Sequence, residues 1–303
     1  MREIAPPLAG IGALAIVAAV LPGQLSWKTS SQHHKLSALH SIRIEWPSRG
    51  QAAIAIPGLG RKASPGQMPV PIASVAKVMT AYIVLRTDPL TAGNDGFTMT
   101  FDDTDVARAN AAHADGQSYV PVAAGEVITE REALAALLLP SANNIAIALA
   151  EHRYGSVPGF VAQMNRVAHE LGMQHTTYTD PSGYDPSTIS TASDQLRLAR
   201  AAMEVPAFAE LVGMREAVLP YVGPVRNTDT LLGHAGFVGI KTGSDQAAGG
   251  CFMYESVRRV NGHRWRIFGV VLGQSGGPLI QAALKAALTM VNDLTDQLPT
   301  IAE

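Results

Sequence analysis

Three short stretches of this chain bring hydroxyl, amine and amide side chains close together. Ser74-Val75-Ala76-Lys77 sets a serine and a lysine three positions apart. Ser141-Ala142-Asn143 sets a serine two positions before an asparagine, and Lys241-Thr242-Gly243 joins an ammonium, a hydroxyl and a glycine. A serine hydroxyl becomes a nucleophile when an adjacent base takes its proton. Lys77 lies one helical turn beyond Ser74, so its amine reaches the same face. Burial and the like charge of Lys241 both lower a lysine pKa, which turns Lys77 into a base. Ser141 offers a hydroxyl to relay a proton to a leaving group, and Asn143 an amide to orient a peptide bond. Lys241 and Thr242 suit a carboxylate, and Gly243 leaves room for a substrate against a strand edge. The chemistry that emerges is nucleophilic catalysis by a serine hydroxyl with a lysine as its base.

Each motif alone has a plainer reading. Ser74 alone is a helix cap with a solvated lysine one turn later. Ser141 after Pro140 is a cap or turn, and residues 241–243 are a strand end. The three together, in this order and in fitting local contexts, favour the chemical reading.

The elements that must position these residues follow from pattern. Residues 42–46 and 51–56, separated by Pro-Ser-Arg-Gly, read as a strand hairpin, and residues 58–71 as a loop. A helix opens at Ser74, with Val75, Val78, Met79 and Tyr82 at helical spacing. Residues 86–127 are mixed and turn-rich. Thr129 caps an amphipathic helix ended by Pro140, and a second helix begins at Asn143. A third is closed by Gly172, and a fourth is capped by Ser190 or Thr191. Residues 237–243, 249–258 and 264–273 read as strands, the last two joined by an Asn-Gly-His turn. One helix ends the pattern. Strands from both ends of the chain must meet in one sheet. The fold class is therefore an α/β sandwich: a mainly antiparallel sheet flanked by helices, with an all-helical subdomain, and no alternating βαβ winding.

At this point the chain resembles the serine-type D-Ala-D-Ala carboxypeptidases, the low-molecular-mass penicillin-binding proteins. The resemblance extends to PIASVAKVMTAYIVL, LLLPSANNIAIALAE, LGMQHTTYTDPSGYD, STASDQLRLAR and GIKTGSDQAAGG, and covers about residues 40–295. It implies the penicillin-binding protein and β-lactamase-like transpeptidase fold. It implies acylation of Ser74 by a peptidoglycan stem peptide, release of terminal D-alanine, inhibition by β-lactams, and no cofactor. It maps the oxyanion hole onto the backbone N–H groups of Ser74 and Ser244. Two departures stand out. Many relatives carry a further β-rich domain and a C-terminal anchor, so this chain looks like the minimal type. Residues 178–186 lack the E-x-x-L-N loop of a class A β-lactamase. A DD-endopeptidase, a β-lactamase, and a catalytically idle binder of wall peptides are the alternatives.

Composition narrows the rest. Apolar residues make up 47% of 303 and charged residues 16%, which excludes a disordered chain. A formal net charge of −2 gives no basic field for nucleic acid. Cys251 is the single cysteine, so there is no internal disulfide, and it reads as a buried core thiol. Residues 4–21 carry no charge and are followed by a polar stretch. Residues 1–25 thus read as a signal peptide or N-terminal membrane anchor, 26–40 as a linker, and 41–298 as the catalytic domain, working outside the cytoplasm. Gly10, Gly12 and Ala15 mimic a dinucleotide fingerprint but lack its preceding strand and later acid. His33, His34, His113 and Asp115 lack further ligands at zinc spacing and read as loop residues. Asp102, Asp103 and Asp105 lack the glycine and closing glutamate of a calcium loop and read as a solvated turn. Asp180 and Asp185 flank a Pro-Ser-Gly turn that either shapes the site wall or is merely a turn.

Overall fold

A computed structural model describes residues 38–300 together with Met1. Residues 2–25 of the signal or anchor segment, most of the linker, the Gly10 motif and the His33-His34 pair lie outside the described residues.

The chain enters through a short helix α1 (Ala38–Ser41). It then forms β1 (Gln51–Ile56), β2 (Gly60–Ala63) and the two-residue β3 (Val70–Pro71). A 3-10 turn, Ala73–Ala76, leads into α2 (Lys77–Thr87). The helical region follows: β4 (Thr98–Thr100), α3 (Asp103–Ala114), β5 (Val127–Thr129), α4 (Glu130–Leu138), α5 (Asn143–Tyr154) and α6 (Val157–Glu170). Then come β6 (Ile189–Ser190), α7 (Ala192–Ala202), α8 (Pro206–Val212) and the hairpin β7 (Glu216–Leu219) and β8 (Gly223–Arg226). The long strands β9 (Phe237–Asp245), β10 (Gly249–Val260) and β11 (His263–Gln274) precede the closing helix α9 (Leu279–Gln297).

The main sheet is antiparallel with the order β2-β1-β11-β10-β9, so strands from the two ends of the chain do meet. Gln51 pairs with Leu272 and Ala55 with Phe268. All six residues of β1 are buried because both faces of the sheet are covered. Ala52, Ile54 and Ile56 join the core under α9, whereas Ala53 and Ala55 join the larger core beneath the helical region. The sheet is thus the middle layer of a sandwich, and β9 is its edge nearest the helical region.

Local chemistry sets the helix starts. Thr129 accepts from the Glu132 amide at 3.2 Å while Glu132 accepts from the Thr129 amide at 2.7 Å, a reciprocal cap. Thr191 caps α7 through the Asp194 amide, and Gly172 takes a left-handed conformation (φ 70°) just beyond α6. Cys251 is buried, which pushes its thiol up to about 12.

Three expectations need correction. Residues 42–46 form no strand, and the hairpin partner of β1 is β2, from the stretch read as a loop. Ile42 and Ile44 are buried, as their alternation implies, but their neighbours' backbone groups bond to α9 side chains. Gln297 and Asp293 accept from the Arg43 and Glu45 amides, each at 3.2 Å. Second, Asp102, Asp103 and Asp105 open α3, where Asp102 and Asp105 form a capping box. Third, Leu39, assigned to the linker, is fully buried against the sheet core.

Candidate active site

The 3-10 turn and α2 hold the first motif. Ser74 is half-buried at the turn, and Lys77 is the first residue of α2, fully buried. The Lys77 ammonium has three neighbours: Ser74 Oγ at 2.8 Å, Asn143 Oδ1 at 2.6 Å and the Ser182 carbonyl at 2.9 Å. Two of these, the amide and peptide oxygens, only accept. A neutral amine has two N–H bonds and one lone pair. With both hydrogens directed at the two carbonyl oxygens, the lone pair is left for the Ser74 hydroxyl. Burial, then the nearby charge of Lys241, lower the Lys77 pKa well below that of a free lysine, and Asp180 opposes them.

The Ser182 carbonyl is held by the turn after Tyr178. One Asp180 carboxylate oxygen accepts the amides of Ser182, Gly183 and Tyr184 at 3.0, 2.9 and 3.2 Å. The other accepts the Thr188 hydroxyl at 2.7 Å. Thr80, one turn beyond Lys77, donates to the Pro181 carbonyl at 2.7 Å. Helix α2 therefore grips two successive carbonyls of that turn. Gly183 makes the approach possible: it has φ 79°, and a Cβ there would lie 1.9 Å from the Ala73 carbonyl oxygen. Asp180 shapes both the turn and the site wall, whereas Asp185 accepts from the Ser187 amide within the turn.

Asn143 opens α5, and both ends of its amide are engaged, one by Lys77 and the other by Gln117 Oε1 at 2.9 Å. That differs from an amide left free to orient a peptide bond. The Asn143 backbone amide donates to the Ser118 carbonyl at 2.8 Å. Asn144 pins the same loop through the Val120 amide and carbonyl at 3.2 and 2.9 Å. Ser141 adopts φ 69°, and its buried Oγ has no hydrogen-bond partner among the described residues.

Strand β9 brings the third motif. Gly243 packs over the serine turn, where a Cβ would sit 2.9 Å from the Ser74 nitrogen and 3.0 Å from that of Val75. No other residue type lets the strand pass so close. Ser244 is exposed one residue further, paired with Gly250. Lys241 is buried, and its Nζ donates to the Thr242 carbonyl at 3.1 Å. The Thr242 hydroxyl shares a 2.6 Å hydrogen bond with that of Thr228. Ser74, Lys77 and Asn143 are thus joined by direct hydrogen bonds. Gly243 touches the serine turn, and Lys241 acts on Lys77 through its charge.

The sequence matches the D-alanyl-D-alanine carboxypeptidase family over residues 63–276. The chain belongs to that family. Among its relatives, a D-alanyl-D-alanine endopeptidase of Pseudomonas aeruginosa is 31% identical over 192 residues, which are 61% of this chain and 58% of that protein. A D-alanyl-D-alanine carboxypeptidase of Mycobacterium tuberculosis is 37% identical over 168 residues, 52% of this chain and 56% of the other. The chain thus spans less than two thirds of the length of these curated relatives. The crystal structure of the Streptomyces K15 DD-transpeptidase superposes with a TM-score of 0.70 at 25% identity, covering 82% of this chain and 98% of that one. The fold of the family is therefore the fold expected from the strand and helix pattern.

Sequence reasoning missed Gln117, Thr228 and the Ser182 carbonyl. A backbone acceptor has no residue-type signature, although the Asp-Pro-Ser-Gly turn that carries it was visible. The tightness of this turn has a measurable consequence. Gly183→Ala should destabilise the protein in urea by clearly more than Gly58→Ala. Both glycines have positive φ, but a Cβ at Gly58 meets nothing within 4 Å. The Gly58 change should cost about 1 kcal/mol of backbone strain, and equal losses would mean that the turn yields freely.

Proposed function

We propose that this chain is a serine DD-carboxypeptidase that removes the terminal D-alanine of peptidoglycan stem peptides through an acyl-enzyme on Ser74. The observation that carries this reading is the Lys77 amine, buried and flanked by two carbonyl acceptors, 2.8 Å from the Ser74 hydroxyl. Ser74 Oγ attacks the carbonyl carbon of the penultimate residue, and its proton passes to Lys77 Nζ. The C–N bond breaks, and a proton reaches the departing amine of D-alanine. Ser141, whose hydroxyl has no hydrogen-bond partner among the described residues, serves as the relay for that proton. The Ser74 and Ser244 amides stabilise the oxyanion, and Gly243 keeps the strand close enough for them to act together. Asn143 orients Lys77 first and the substrate second. Lys241 and Thr242 receive the terminal carboxylate. Water then hydrolyses the ester. β-Lactams, as acylating analogues, form an adduct on Ser74.

A second reading, DD-endopeptidase action on cross-links, is favoured by the relative from Pseudomonas aeruginosa that carries that name. Mass spectrometry of products from a pentapeptide stem and from a cross-linked dimer decides between them. Both substrates lie outside the cytoplasm. The apolar residues 4–21 support export by segment 1–25, cleaved or retained as an anchor. Among the described residues no helix is long and apolar enough to cross a membrane.

Ser74→Ala should abolish the covalent adduct with a fluorescent penicillin while the protein stays folded. An adduct on the variant would place the nucleophile elsewhere. Lys77→Arg keeps the charge but not the basicity, so acylation should fall by roughly 10²-fold or more, as stopped-flow labelling would record. Lys241→Ala should reduce kcat/KM by roughly ten- to a hundredfold for a stem peptide with a free carboxylate. Its effect on the C-terminal amide should be much smaller. Equal losses on both would remove Lys241 from carboxylate recognition and leave it an electrostatic neighbour of Lys77.

A further inference from the structure

The Asn143 side chain serves the site in only one of its two amide orientations. With Oδ1 on Lys77, the lysine gives a hydrogen to Asn143 and keeps its lone pair on Ser74. Turned over, the amide would present Nδ2, and a neutral amine can accept from it. The lone pair would then point at Asn143, and Ser74 would lose its base. A protonated Lys77 has no lone pair and dictates the orientation by itself. A neutral Lys77 does not, so the choice passes to the other end of the amide.

That end meets Gln117, whose Oε1 accepts from Asn143 Nδ2 at 2.9 Å. Gln117 is itself an amide and could turn over in the same way. Its nitrogen, however, donates to Asp115 Oδ2 at 3.3 Å. A carboxylate accepts and does not donate, so it settles which end of Gln117 faces it. Donors and acceptors thus alternate along one line from Asp115 through Gln117 and Asn143 to Lys77. The line runs from an exposed carboxylate to a fully buried amine. The backbone holds it in place. Asp115 caps the end of α3, and Gly116, with φ 68°, turns the chain. The Gln117 amide then returns to the Ala112 carbonyl at 2.9 Å, and the Ser118 carbonyl accepts the Asn143 amide at 2.8 Å.

We propose that Gln117 and Asp115 are positioning residues that fix the orientation of the Asn143 amide and so keep the lone pair of neutral Lys77 on Ser74. This rests on the reading of Lys77 as the base given above. The same orientation serves the substrate. An amide nitrogen carries two hydrogens, so Asn143 keeps one for a substrate carbonyl while Gln117 holds the other. A turned-over amide would meet that carbonyl with an oxygen.

The test is acylation by a fluorescent penicillin, followed by stopped flow on the alkaline plateau, where Lys77 is neutral in every variant. Gln117→Met keeps the length of the side chain but offers only a weak sulfur acceptor. It should slow acylation roughly three- to tenfold, the weight of one hydrogen bond. Asp115→Asn combined with Gln117→Glu exchanges the amide and the carboxylate. The exchange keeps the net charge and again presents Asn143 with an acceptor, so it should recover most of the lost rate. Asp115→Asn alone frees Gln117 to turn over and should give a smaller loss. Added to Gln117→Met, it should give no further loss. An unslowed Gln117→Met, or an exchange as slow as Gln117→Met, would overturn the proposal. A further loss on adding Asp115→Asn to Gln117→Met would do so too, because Asp115 would then act by another route. If Lys77→Arg acylates at the unmodified rate, the reading of Lys77 falls and takes this one with it. If Lys77→Arg is slow and Gln117→Met is not, only the roles of Gln117 and Asp115 fall.

Discussion

The site depends on one amine kept out of water with two acceptors it cannot exchange. A buried lysine tends to lose its proton because the charged form is poorly solvated. The Asn143 and Ser182 oxygens accept two of its hydrogens, and Ser74 is the one neighbour able to donate back. Geometry and burial therefore act in the same direction. Moving either carbonyl would leave an N–H unsatisfied in a dry site, and the lone pair would lose its fixed aim.

Four distant parts of the chain meet at that amine. Helix α2 brings Lys77, α5 brings Asn143, the Asp180 turn brings a carbonyl, and β9 brings a second cation. None of these elements creates the arrangement alone. Each is secured by its own local device: Thr80 and Asp180 for the turn, Asn144 and Gln117 for the head of α5, and Gly243 for the closeness of β9. The support of the site is thus distributed over the helical region and the sheet.

Much of this was legible from residue types. Ser74, Lys77 and Asn143 carry chemistry in their side chains, and their local contexts forecast helix starts and a strand. The ordering of the long strands and the closing helix followed from period and turn residues. What escaped notice has a common physical character. Residues 42–46 alternate like a strand, and one face is indeed buried. Alternation does not say whether another strand or a glutamine takes the backbone hydrogens. The Asp102 trio looked like a turn because a capping box and an Asx turn begin with the same residue. Ser182 contributes a peptide carbonyl, which every residue has.

The pairing of β1 with β11 also governs the order of events when the chain is made. Residue 51 waits for residue 272, so the centre of the sheet cannot close until almost all of the chain is available. Non-local closure of this kind is intrinsically slow. Until then the apolar run Gln51–Ile56 can pair on one side with β2 alone, leaving its other edge open. An open apolar edge is where strands from separate chains associate. The strand most deeply enclosed in the finished protein is thus the one most vulnerable to aggregation beforehand.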